Sequence, residues 1–354
     1  MKIERDQTGL IIIGSDSYPQ SPEIDGGVEF TNAKNSVHDY FVKNAQNSFP
    51  SIKILDLFNS DLNEDRTDVE IRQFVSLNPQ LTIIFIYYVG HGSYSRDDRC
   101  LILTVKSTRR ENLSVSSIRL SSFGRTIRAI GSTKSVYVIL DCCYSGAAIE
   151  SMMSPGDVEI QNEIDLHYAS RGITVLASSS KDFPSFKLPA KKSTLFTEGL
   201  TLALRNGDVS KNRQYLSLRE IKEISEKNIR RLLPNNNIFP ALYTPIQPEG
   251  DIADIPVFYN YAIQDRRADI NIQADRIVEA MTNSEFGNVA TLLLEFVKNF
   301  DNEKHDLLKY VMLATECRDL LEDKTKAYDV YIKNRKSNYK KILATIWRIK
   351  NQKM

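Results

Sequence analysis

A histidine set between two glycines and the second member of a cysteine pair are the residues in this chain whose types and spacing could do chemistry together. His91 lies in YYVGHG, Tyr87–Gly92, and Cys143 lies in DCCYSG, Asp141–Gly146; each motif follows an apolar run. A thiol with a pKa of roughly 8.5 is only a few per cent ionised near neutrality, and a neighbouring imidazole both activates it and later protonates an amine leaving group. The pair points to thiol hydrolysis. Side chains alternate along a strand, so Asp141 and Cys143 project to one side while Leu140 and Cys142 project to the other. Cys143, not Cys142, is therefore the expected nucleophile. Gly90 and Gly92 let the backbone turn sharply beside His91, and the main-chain N–H groups of Gly92 and Cys143 would form an oxyanion hole, worth about 3 kcal/mol in a transition state. A cysteine ending an apolar strand is by itself more often a small hydrophobe, and a lone loop histidine is often idle. It is their combination that carries the reading.

Such a pair needs elements that deliver both residues to one edge. GLIIIG, Gly9–Gly14, is a short apolar run that suits a strand covered on both faces. Further strands are expected at 52–57, 81–89, 100–105, 136–140 and 173–178, helices at about 32–47, 68–75, 123–130, 195–205 and 218–232, and a proline-punctuated return to a short run at 255–258 that closes the domain. Ser193 or Thr194 is the expected cap of the fourth of these helices. This alternation predicts an α/β domain with a mainly parallel sheet flanked by helices, which holds its site at the carboxyl ends of the strands. Both motifs sit at such ends.

From about Asp265 the texture changes: proline disappears, and apolar residues recur at helical spacing in Leu292, Leu293, Phe296, Val297 and Phe300, then in Leu307, Leu308, Val311 and Met312. We divide the chain into an α/β domain over 1–262 and a small all-α bundle over 263–354. Its last helix carries Ile342, Leu343, Ile346 and Ile349 on one stripe, and no acidic residue occurs from Val330 onward. That basic stretch reads either as a solvated face or as a surface for an acidic partner.

Composition narrows the classes. The 354 residues are 42% hydrophobic and carry a formal charge of +1, so no global field draws the protein to nucleic acid or anionic lipid. Neither partner is expected. MKIERDQTG lacks a signal-type apolar stretch and no run is long enough to span a membrane, so the expected location is cytoplasmic. Cys100, Cys142, Cys143 and Cys317 have no paired spacing, which gives neither a disulfide framework nor a zinc site. Reduced thiols are expected.

The Gly-His-Gly run Gly90–Gly92 and the run Asp141–Gly146, about 50 residues later, resemble the signature of the caspase superfamily, and most closely its metacaspase-like and bacterial caspase-like proteases. The resemblance covers about residues 8–258: GLIIIGSDSY resembles the family's first strand, STLFTEGLTLAL a later helix, and FPALYTP a late proline-containing segment. It implies a caspase-like fold and a His91–Cys143 dyad, with Gly92 and Cys143 as main-chain donors. It also implies a protein substrate cut after Arg or Lys, because Asp141 occupies the position of an acidic pocket residue. Two other pocket positions differ, with Thr31-Asn32-Ala33 in place of Asn-Asp-Ala and Val89 in place of a serine. Asp182 is a candidate compensating carboxylate for substrate binding, or merely a solvated loop residue, and Asp141 could instead cap strand-end amides.

The same resemblance makes 146–172 the place of an intersubunit linker, with Arg171 its expected self-cleavage site, unless the segment is an uncut surface loop. No cofactor is expected. Some relatives need calcium, but Asp97 and Asp98 form no EF-hand pattern, and calcium stays unassigned. The C-terminal helices resemble the effector-associated adaptor domains of bacterial caspase-like proteases. That implies a sensor or adaptor partner in a defence or cell-death pathway. A catalytically silent caspase-like scaffold is the alternative.

Overall fold

The computed structural model describes residues 4–24, 26–45, 48–95, 100–142, 172–178, 187–188, 192–235, 237–244, 250–282, 286–300 and 328–351. A run with an apolar side chain at nearly every position must be covered on both faces. Three strands show this: β1 (Thr8–Gly14), β3 (Ile83–Val89) and β4 (Ser135–Asp141) are buried throughout. They form the middle of a sheet completed by β2 (Lys53–Phe58), β5 (Ile173–Ala177) and β6 (Ala241–Tyr243), in the order β6-β5-β4-β3-β1-β2. β1 to β5 pair in parallel and β6 closes one edge antiparallel to β5. The fold is the mainly parallel α/β class expected.

Helices cover the two faces. On one face α2 (Glu64–Leu77) and α3 (Leu120–Gly131) bring Ile71, Phe123 and Ile127 against Ile11, Ile13, Ile84, Ile86, Tyr88, Val138 and Leu140. On the other, α1 (Val28–Asp39), α4 (Leu195–Asn206) and α5 (Leu218–Leu232) accompany a cluster of stacked and tilted rings built from Phe41, Phe49, Phe85, Tyr137 and Phe258. Helix starts follow their sequence signals. Thr194 caps α4 by accepting from Thr197 N–H, and Ser217 with Glu220 makes a reciprocal capping box at α5.

Two readings of the chain need amending. The short run at 255–258 is in fact a strand, Pro256–Tyr259, which pairs with Tyr215–Ser217 outside the main sheet. The edge strand β6 was not foreseen, because Pro240 and Pro245 flank it and its three residues show no period. An edge strand needs only one bonded side, so β5 templates what the local sequence does not announce.

The chain divides into two compact units, residues 1–211 with 215–260 and residues 212–214 with 261–354. In the second, α6 (Tyr261–Thr282), α7 (Phe286–Phe300) and α8 (Tyr328–Lys350) share a core that includes Ile277, Met281, Leu293, Phe296, Ile342 and Ile346. Leu307, Leu308, Val311 and Met312 lie outside the described residues. Leu343 departs from the expected stripe. Ile342, Ile346 and Ile349 recur at helical spacing and are buried, whereas Leu343, a further 100° round the helix, is 47% exposed.

Candidate active site

The register of the sheet decides what the two motifs can do together. β3 and β4 are neighbours, with Val89 opposite Asp141. His91 and Cys143 each follow that matched pair by two residues, and the strands are about 4.8 Å apart. β3 and β4 therefore end at the same level, the one two residues before His91 and the other at Asp141. Gly90 N–H donates to the Asp141 carbonyl at 3.3 Å, tying the chain before His91 to the chain before Cys142. Gly14 makes the edge compact: a Cβ there would lie 1.9 Å from the Val89 carbonyl oxygen, so only glycine lets β1 approach this corner.

His91 is half-buried and held from three sides. Phe30 meets its ring edge-to-face at 5.1 Å between centroids, and the Tyr18 ring is tilted at 5.8 Å. Its carbonyl oxygen accepts from Thr104 N–H at 3.0 Å and lies 2.7 Å from the Tyr88 hydroxyl, which also lies 2.8 Å from the Thr104 carbonyl. One hydroxyl proton is thus shared by two carbonyls. Burial pushes the Tyr18 phenol up to about 12, against the opposing hydrogen bonds of Thr104 and the His91 main chain, so it stays a neutral hydroxyl in this frame. Gly92 begins a short antiparallel strand, Gly92–Ser95, and pairs with Leu103, which fixes the main chain on the far side of the imidazole.

At the end of β4 the two faces separate as alternation requires. Cys142 is 1% exposed and packs in the same core as Val138 and Leu140. Its backbone is gripped by Ser178, whose hydroxyl donates to Cys142 O at 2.9 Å and accepts from Cys142 N–H at 3.2 Å. Asp141 faces the other way and is fully buried. Its Oδ2 accepts from the Thr194 hydroxyl and, at 2.6 Å, from the Thr197 hydroxyl; the Tyr87 hydroxyl stands 3.5 Å away. Oδ1 has no hydrogen-bond partner among the described residues. Burial lifts the Asp141 carboxyl to about 6, outweighing the hydrogen bonds from Thr194, Thr197 and Tyr87 that favour the charged form.

Of the residues singled out from sequence, His91, Gly92 and Asp141 are described and lie at the ends of adjacent β3 and β4. Cys143, Asp182 and Arg171 lie outside the described residues, as do Asp97, Asp98 and most of 146–172. Among the described residues no group of three or more His, Cys, Asp or Glu side chains is arranged to hold a metal ion, and no helix is long and apolar enough to cross a membrane. At the altered pocket position, Asn32 Nδ2 donates to the Lys192 carbonyl at 2.7 Å, so an amide ties α1 to the turn before α4.

Several partners at this edge escaped the sequence reading. Phe30 and Tyr18 around His91, Ser178 on Cys142, and the hydroxyls on Asp141 are all remote in sequence from the motifs they serve. Thr194 alone carried a signal, as a helix cap, and that signal did not reveal its second bond.

The site thus lies at the carboxyl edge of a mainly parallel sheet, where β3 ends just before His91 and β4 ends at Asp141. The caspase-domain model of the C14 peptidases matches residues 11–236, and the chain belongs to this family of cysteine peptidases. Among solved structures, a protein from Geobacter sulfurreducens aligns with TM-score 0.44 and 13% identity over 68% of this chain and 96% of its own. The Drosophila initiator caspase Dronc aligns with TM-score 0.47 and 9% identity over 73% of this chain and 85% of its own. No curated protein matches the chain.

Proposed function

We propose that the chain is a cytoplasmic cysteine endopeptidase that cleaves protein substrates after Arg or Lys. The observation that carries this reading is the register of β3 and β4, which sets Val89, two residues before His91, opposite the buried Asp141, two residues before Cys143 in sequence. His91 removes the Cys143 S–H proton, and the thiolate attacks the scissile carbonyl carbon. The Gly92 and Cys143 N–H groups receive the developing oxyanion. As the C–N bond breaks, His91 passes the proton to the leaving amine; it then deprotonates a water that hydrolyses the thioester and restores the thiol. Asp141 supplies the charge that selects a basic side chain, with Asp182 a second carboxylate for it, and Arg171 is the bond at which the enzyme cuts itself. The reaction as proposed uses no cofactor.

A peptide library resolved by the residue before the cut tests this. Turnover confined to Arg- and Lys-containing peptides is expected, and cleavage after Asp alone would overturn the specificity. A silent scaffold predicts no turnover and no preferential alkylation of Cys143; His91-dependent alkylation at neutral pH separates the two readings.

We infer that a partner activates the protein through the C-terminal unit, within a defence or cell-death pathway. Trp347 is 69% exposed and Leu343 47% exposed on α8, one turn apart, on a helix that carries no acidic residue from Val330 onward. The fitting partner is an acidic protein surface with an apolar ridge. Trp347 is the only tryptophan of the chain. Partner binding is therefore expected to blue-shift tryptophan emission, and forced dimerisation through a C-terminal fusion to raise kcat/KM about tenfold or more; unchanged activity in the fused dimer counts against relay through these helices.

A further inference from the structure

We propose that Tyr87, Thr194 and Thr197 form a hydroxyl relay that holds Oδ2 of Asp141 from behind and reserves Oδ1 for the cation of the substrate side chain. The inference rests on the reading of Asp141 as the basic-side-chain site and adds three positioning residues to it. Counting protons fixes the direction of each bond. The Thr194 hydroxyl oxygen accepts from Thr197 N–H at 3.2 Å, so its single proton is free to go to Asp141 Oδ2. The Thr197 hydroxyl donates to the same Oδ2 at 2.6 Å and lies 2.8 Å from the Tyr87 hydroxyl. Tyr87 is much closer to Thr197 than to Asp141, at 2.8 against 3.5 Å, so its proton passes to Thr197.

The relay runs from Tyr87 through Thr197 to Oδ2, joined there by Thr194. Both threonine hydroxyls donate to the same carboxylate oxygen, and Tyr87 backs one of them. Oδ1 is left buried without a partner among the described residues, a condition that costs free energy until a donor arrives. A guanidinium or ammonium group is the donor that matches both its charge and its vacancy.

The groups around Asp141 keep this arrangement fixed across the working pH range. From β3 the facing titratable group is Tyr87, whose phenol is held far above its ordinary value by burial and then by the charge of Asp141. From α4 the facing groups are the uncharged threonines. Asp141 is therefore the group whose ionisation the relay controls, and loss of a hydroxyl donor disfavours its charged form.

The test uses the full chain and a fluorogenic peptide with Arg before the scissile bond. In Thr197→Val the acid limb of kcat/KM, which reports the free enzyme, is expected to move up by about one pH unit. At pH 6 that is about a fivefold loss, carried by KM, with kcat at pH 8 nearly unchanged. Thr197→Ser restores the limb. An unmoved limb in Thr197→Val, or equal losses at every pH, overturns the relay. Should that variant not fold, Tyr87→Phe removes the far donor and is expected to give a smaller shift of the same sign; no shift overturns the proposal too.

A second arm is independent of turnover. Agmatine binding to Cys143→Ala, followed calorimetrically, should weaken in Thr197→Val and recover in Thr197→Ser, while equal affinity in both, or no binding to Cys143→Ala, overturns the relay. A wild-type chain that cuts no Arg or Lys peptide overturns the proposed function instead, so the two failures are told apart.

Discussion

Cys143→Ala is expected to lower cleavage of an Arg-containing peptide by about 10³-fold or more while leaving thermal stability nearly unchanged, and Cys142→Ala to do the reverse. The contrast follows from the two faces of β4. Cys142 is 1% exposed within the core of Val138 and Leu140, where a small truncation costs on the order of 1 kcal/mol in packing. Its side chain has no route to a substrate from there. Cys143 lies one residue further in sequence, and strand alternation predicts the opposite side for it. His91→Ala should match Cys143→Ala in turnover, because a nucleophile and its base fail as a unit. Retained activity in Cys143→Ala would remove the proposed nucleophile; loss in Cys142→Ala with unchanged stability would reassign it.

Asp141→Asn is expected to raise stability above pH 7 while lowering cleavage after Arg or Lys by about 10²–10³-fold. The folded-state carboxyl sits at about 6 against an ordinary value of 3.8, with burial the leading cause. The folded protein therefore binds more protons than the unfolded chain between about pH 4 and pH 6. Stability falls as pH rises through that window, and the full penalty applies above it. Removing the ionisable group recovers on the order of 3 kcal/mol at pH 8, or roughly 5–10 °C in Tm, and recovers nothing below about pH 4. The gain should thus appear at pH 8 and vanish at pH 3.5. Equal Tm values for the two proteins at pH 8 would contradict the burial of a charged Asp141. The trade of stability for a charge is common at functional sites.

These two variants probe neighbouring residues for different physics: one tests which face of a strand reaches solvent, the other what a buried charge is for. Together with the matched register of Val89 and Asp141, they separate chemistry from specificity at a single sheet edge.

The sequence by itself determined the elements and their faces. Apolar runs announced β1, β3 and β4, because a strand covered on both sides has no room for polar positions. Thr194, one of two caps expected before the helix at 195–205, marks the start of α4 through local hydrogen bonding. Strand alternation put Cys142 in the core, and the structure buries it there. These readings succeed because period and capping depend on residues a few positions apart.

Only the tertiary structure decided the company each functional group keeps. Asp141 meets Thr194 and Thr197 across 53 and 56 residues of chain, and His91 meets Tyr18 and Phe30 from the region after β1. The same holds for β6, which the β5 edge organises, and for Leu343, whose exposure depends on how far round α8 the bundle extends. Burial, proton direction and the open oxygen of Asp141 arise from contacts distant in sequence, and local pattern carries no record of them.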